Sequence, residues 1–342
     1  MTSAQQHSPV IQTLALEGPW PGADPFLFTA HHVDTYPAGD AQMAPQADLT
    51  GRNLGQDFSG THGWSMYHGQ TVPGFPAHPH RGFETITLVE EGLVDHTDSA
   101  GAQARYGLGD TQWLTAGSGI SHCEMFPLVA QDRPNPLHLF QIWLNLPPAA
   151  KSADPYFTIL WAEETPVVEV SDAAGRTSRV KALAGEFAGQ TPPPPPPSSW
   201  AAQPDNHVAI WHADLTPGAE LTLPPADPAV NRTLYVYDGT LTLAGQGFTT
   251  AAVVVDPAQE LMVSAGAERV RFLLLQGRPI GAPVVQHGPF VGNTRADLAA
   301  AFDDYQAGRF GQWRLPVNDP VHPREQARFA RYSDGTRRVP PA

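Results

Sequence analysis

Phe75 to Gly92 reads FPAHPHRGFETITLVEEG and Gly109 to Met125 reads GDTQWLTAGSGISHCEM; the alternation of residue types in these two segments decides the fold. His78 and His80 flank Pro79, and His122 and Glu124 flank Cys123. Side chains on a strand alternate faces, so each pair projects to one side. Two such strands set side by side bring three imidazoles and a carboxylate to one point, which is a mononuclear metal site. From His80 to His122 the chain runs 42 residues, so local proximity does not account for the likeness, and Gly92, Gly101, Gly107 and Gly109 predict a return through hairpins. A single one of the 14 histidines is ordinarily a surface or core residue, and H-x-H alone argues little. The conjunction with H-x-E after a hairpin return carries the site. By the same parity Cys123 points to the opposite face, as a small buried side chain and not a ligand.

Working outward, 342 residues at 41% hydrophobic content can fill two globular cores. Gly (31) and Pro (36) together far exceed the average of about 12%. Strand-like runs of Val, Leu, Thr and aromatics recur between these turn signals, which predicts a β-rich architecture. The net charge of −14 argues against direct nucleic-acid binding, which needs Lys and Arg to replace counterions around phosphate. One cysteine excludes an intramolecular disulfide, and residues 1–16 show no basic, long apolar leader, so the expected location is cytoplasmic. The apolar runs AAVVV (251–255) and FLLL (272–275) are strand-length, so no membrane insertion is expected.

Six consecutive prolines, Pro192–Pro197, admit neither helix nor sheet interior and read as an exposed polyproline spacer or loop. The expected division is therefore a metal-binding domain over 1–180, a Pro-rich linker or loop over 181–200, and a metal-free domain over 201–342. The two halves share a theme. ETITLVEEGLVDH in the first matches TLYVYDGTLTLAG in the second, each a strand, a turn and a strand. Aligning Gly92 with Gly239 places Pro225 and Asp227 where His78 and His80 stand, so the second copy lacks the ligands. Thr294 and Asp297 form a capping-box pattern ahead of Leu298, Ala301, Phe302 and Tyr305, which predicts an amphipathic helix near 295–307. The Pro-punctuated tail from Asp319 onward is expected to be loosely ordered.

HPHRGFET (78–85), QWLTAGSGISHCEM (112–125) and QHGPFVGNT (286–294) together resemble the pirin family of the cupin superfamily, over Asp24 to roughly Leu315. That resemblance implies an all-β bicupin, two antiparallel β-barrel (cupin/jelly-roll) domains in one chain with a short C-terminal helix. It also implies one iron in the first domain, with His78, His80, His122 and Glu124 as ligands by motif. Many cupins use the Glu of their first motif, here Glu84, but an extended strand would carry it ~13 Å from His80. Glu84 is therefore assigned to strand pairing or to support of the ligands. Arg81 can orient a carboxylate or form a surface or inter-barrel ion pair, and His96 reads as an ordinary loop histidine in preference to a pocket residue.

Three neutral imidazoles and one carboxylate on an octahedral metal leave two adjacent positions open, which suits Fe(II) binding dioxygen beside a substrate oxygen. Affinity alone leaves zinc, nickel and copper open, and tetrahedral zinc would close the site. Pirins are similar to flavonol dioxygenases, which implies quercetin 2,3-dioxygenase (quercetinase) chemistry with loss of carbon monoxide. Trp64, Tyr67, Phe75, Trp113 and Phe126 lie near the motifs and offer rings to stack on a small aromatic substrate, although each also suits the barrel core. Glu124 can serve as both ligand and base for the flavonol hydroxyl. The competing expectation is an iron-dependent, redox-sensing regulatory protein that binds a transcription regulator or a metabolic enzyme, since the resemblance includes pirins of that kind.

Overall fold

The computed structural model describes residues 8–341. It is nearly all-β; among these residues Arg295–Gln306 is the one α-helix, and no helix is long and apolar enough to cross a membrane. The chain forms two compact units, each discontinuous in sequence. The histidine unit joins Thr29–Glu163 to Ala282–Ala342, and the other joins Met1–Phe28 to Glu164–Gly281. The observed division thus differs from the expected 1–180, 181–200 and 201–342. Strand pairing is the reason: Val10–Ala15 pairs with Ala251–Val255, and Val167–Ser171 and Thr177–Ala184 extend the sheet of Ala209–Leu215. A strand's own sequence records its buried face but not which distant edge it will join.

In the histidine unit one sheet runs Tyr156–Leu160, Thr111–Thr115, Phe83–Glu91, Asn135–Asn145, Phe26–Tyr36. The other runs Arg337–Arg338, Phe329–Arg331, Gln103–Gly107, Leu93–Asp98, Ile120–Met125, Gly74–His80. Neither order returns to its first strand, so the expected barrel is instead a pair of open sheets, with Val89, Leu114 and Leu139 of one and Val94, Tyr106 and Ile120 of the other in one core cluster. The chain changes sheet at two stacked corners. At Gly92 it leaves Phe83–Glu91 for Leu93–Asp98, and at Gly107 it turns back toward Thr111–Thr115. Gly92 has φ +85°, and a Cβ on Gly107 would meet the Gly92 carbonyl oxygen at 2.1 Å, so only glycine fits the close approach. These two glycines are corners, and Gly101 alone sits in the hairpin between Leu93–Asp98 and Gln103–Gly107.

The other unit repeats the device. Asn231–Asp238 lies in a seven-stranded sheet and Leu241–Leu243 in a four-stranded one, with Gly239 at φ +73° between them, which matches Gly92 as the repeat predicts. The prolines Pro192–Pro197 are not a spacer between domains. They lie inside this unit as a loop, with Pro192, Pro193 and Pro195 half-buried, Pro196 buried and Pro194 and Pro197 exposed, because a run without N–H donors can pack as an irregular wall without leaving donors unpaired.

The helix Arg295–Gln306 has its capping box, with Thr294 Oγ1 accepting from the Asp297 N–H and the Asp297 carboxylate accepting from Thr294 N–H at 2.8 Å. Its stripe packs Leu298 and Ala301 against Phe290 and Phe310. The tail from Asp319 is ordered, contrary to expectation. Arg105, 1% exposed, forks onto Asp95 at 2.7 Å through both Nε and Nη2, and donates to the carbonyls of His322, Pro323, Arg324 and Gln326. Phe329–Arg331 then adds to the edge of Gln103–Gly107. Proline punctuation denies the tail regular structure, but a buried guanidinium supplies the donors its carbonyls need. Arg105→Leu is expected to cost about 3–5 kcal/mol in chemical denaturation, because it strands the Asp95 carboxylate in the interior. A loss under about 1 kcal/mol, typical of an exposed pair, would show that the tail is held by its apolar contacts instead.

Candidate metal centre

Gly74–His80 and Ile120–Met125 are neighbours and pair antiparallel, with His78 opposite His122 and His80 opposite Ile120. Directly opposed side chains share a face, so the two histidine motifs converge. The register slips by one residue between Phe75 and His78, where Pro76 and Ala77 bulge and Ala77 N donates to Asn318 O at 2.7 Å. Strict alternation would turn Phe75, three residues before His78, away from the histidines. The bulge turns it back to the same face, opposite Glu124.

The ligand nitrogens of His78, His80 and His122 all lie within 4.8 Å of one another. His78 Nδ1 sits 2.9 Å from the Pro76 carbonyl, which assigns the proton to Nδ1 and the lone pair to Nε2. That Nε2 lies 3.1 Å from His80 Nε2, and neither ring nitrogen of His122 has a hydrogen-bond partner. Burial pushes the pKa of His78 down to about 4 and those of His80 and His122 well below the usual imidazole range, so all three are neutral. The two buried, unpartnered ring nitrogens of His122, set beside the His78 and His80 donors, fit a bound divalent metal, which takes its ligands from neutral imidazole.

Glu124 lies beside this cluster, its Oε2 3.8 Å from His122 Nε2. Oε2 accepts from Gln141 Nε2 at 2.8 Å, and Oε1 is 3.4 Å from Thr87 Oγ1. Burial raises the carboxyl pKa, opposed by His96, Gln141 and Thr87. Glu84 is elsewhere: fully buried, it accepts from Thr115 Oγ1 at 2.6 Å. Gly82 at φ +85° interrupts the strand after His80, so parity does not carry through to Glu84, which faces away from Thr87. Arg81 makes an ion pair with Asp304 of the helix at 2.6 Å within the same unit. The segment 286–294 packs on this turn, with Val291 N donating to Arg81 O at 3.0 Å. Cys123 is buried on the opposite face with Val72 and Met125, and burial pushes its thiol well up.

A cavity of about 320 Å³ opens onto His78, His80 and Glu124, lined further by Phe75, Phe126, Leu139, Gln141, Trp143 and Pro289, with His32, His68 and Thr87. Of the five aromatic residues expected at a substrate mouth, Phe75 and Phe126 line it and three do not. Trp64 is buried under the Arg52 guanidinium, 3.4 Å from its ring centroid. Tyr67 stacks behind Phe75 and donates to Asp34 Oδ2 at 2.7 Å, its oxygen 2.9 Å from His32 Nδ1. Trp113 is fully buried in its strand, opposite Ile86 and Thr158. His96 is a strand residue and not a loop one: buried opposite Glu124, it places Nε2 3.1 Å from Asp98 Oδ2. Leu139, Gln141 and Trp143 were missed, although their period of two in LHLFQIW (137–143) is the signal of one strand face.

Two all-β units with, among the described residues, one trio of convergent histidines on paired strands define a bicupin with a metal-ready site in one unit. The chain belongs to the pirin family. The family's sequence profiles match residues 56–144 (Pirin) and 210–311 (Pirin C-terminal cupin domain). A pirin-like protein of Caulobacter vibrioides is 37% identical over 238 residues, covering 69% of this chain and 80% of its own. A Pseudomonas aeruginosa protein named "Putative quercetin 2,3-dioxygenase" is 34% identical over 243 residues, covering 69% and 79%. The crystal structure of a quercetin 2,3-dioxygenase from Acinetobacter baumannii superposes with a TM-score of 0.68 at 24% identity, covering 89% of this chain and 98% of that one, which establishes likeness of fold.

Proposed function

We propose that the histidine unit is a mononuclear iron dioxygenase that acts on flavonol-type or related enediol substrates. The observation that carries this reading is the convergence of three neutral imidazoles, two of which, His78 and His80, line with Glu124 a mainly apolar cavity of about 320 Å³, the size of a small aromatic ligand. His78, His80, His122 and Glu124 would hold one Fe(II), which when bound supplies open positions for dioxygen and a substrate oxygen. Phe75, Phe126 and Trp143 offer faces and edges against which a planar ring is clamped, excluding water from the reacting atoms. Glu124, its pKa already raised by burial, is the group to take the substrate hydroxyl proton, while Gln141 holds its Oε2 in place. The relatives bearing quercetin dioxygenase names support the substrate class.

The test is anaerobic loading with Fe(II), then addition of a flavonol and oxygen. Flavonol and O₂ are expected to be consumed in equal amounts with release of carbon monoxide, and His80→Ala is expected to do neither. A fully loaded protein without turnover across a panel of flavonols and enediols would overturn the reading.

A further inference from the structure

The other unit carries a second cavity, of about 660 Å³, and it occupies the place the internal repeat assigns to the metal site, since Pro225 and Asp227 line it. No histidine pair stands there. One wall is instead formed by Arg232, which is 1% exposed. Its Nε donates to Gln276 Oε1 at 2.7 Å and its Nη1 to Pro224 O at 2.7 Å, both neutral acceptors. Nη2 makes no hydrogen bond among the described residues, and no carboxylate pairs with the guanidinium. Burial alone lowers the Arg232 pKa, to about 10. Asp227 does not neutralise it, being engaged by Arg278 at 3.1 Å and His207 at 3.5 Å. The same cavity is lined by apolar surfaces, the proline run Pro192–Pro195 and Trp211, and at its exposed rim by Glu186. A buried, uncompensated cation is costly unless an anion completes it.

We infer that this cleft binds a small organic monocarboxylate, its carboxylate on the Arg232 guanidinium and its apolar body against the prolines and Trp211. A planar guanidinium matches a carboxylate or a phosphate equally in geometry. A single guanidinium in a cavity also lined by Asp227 and Glu186 favours the monoanion over a phosphate dianion, and the apolar wall favours an organic body over an inorganic ion.

The experiment uses the full chain with His122→Ala, so that the histidine site does not compete, and titrates benzoate by calorimetry. One saturable site per chain is expected, with Arg232→Lys weakening it roughly tenfold or more, the worth of a charge-assisted fork. Inorganic phosphate and benzamide should fail to displace benzoate. Displacement by phosphate at equal concentration would overturn the organic assignment, and benzamide binding as well as benzoate would overturn the charge assignment. Because a variant of a buried arginine can fail to fold, crystals of the chain with an intact Arg232 soaked in 4-bromobenzoate supply a second readout. The bromine is expected in the cleft, with the carboxylate at about 3 Å from Arg232; an empty cleft sinks the inference.

Discussion

His122→Ala is expected to empty the histidine site, so that elemental analysis falls from about one metal per chain to near none, because the change removes one of the convergent donors. His122 is the donor with the fewest alternatives, since neither of its ring nitrogens is engaged elsewhere, whereas His78 is held by the Pro76 carbonyl. Metal bound only to the folded state stabilises it, by about 2.7 kcal/mol at a hundredfold excess over the dissociation constant. The variant should therefore melt below the loaded protein, and added metal should no longer raise its melting temperature. An unchanged metal content would remove His122 from the ligand set. The point variant is the proper test because the units are discontinuous: cutting near residue 200 would divide the unit formed by Met1–Phe28 and Glu164–Gly281.

Glu124→Gln and Glu84→Gln remove the same charge from two positions, and only the first is expected to weaken iron binding severely. Glu124 reaches to 3.8 Å from His122 Nε2, and loss of a ligand should exceed the 10–100-fold typical of losing a partner that merely orients one. Glu84 lies on the other face of its strand, where an amide oxygen can still accept from Thr115 Oγ1. Metal titration followed by a competing chelator distinguishes them. Equal losses would place Glu84 among the ligands and restore the general cupin arrangement.

What the sequence by itself determined was local and periodic. The i, i+2 spacing of His78 with His80 and of His122 with Glu124, the capping box at Thr294, and the equivalence of Gly92 and Gly239 all follow from backbone geometry that repeats every two or 3.6 residues. What only the tertiary structure decided was pairing and facing. Parity sets Phe75 and Phe126 no more firmly in the cavity than Trp64 or Trp113; the bulge at Pro76 and Ala77 and the choice of sheet separate them. Gln141 and Trp143 belong to the site because Asn135–Asn145 pairs with Phe83–Glu91, a contact between residues some fifty positions apart. The same holds for the tail on Arg105 and for Val10–Ala15, which joins Ala251–Val255. A strand's unpaired N–H and C=O groups are alike along its length, so its sequence specifies which face is buried, while the partner edge is settled only when the competing edges are assembled together.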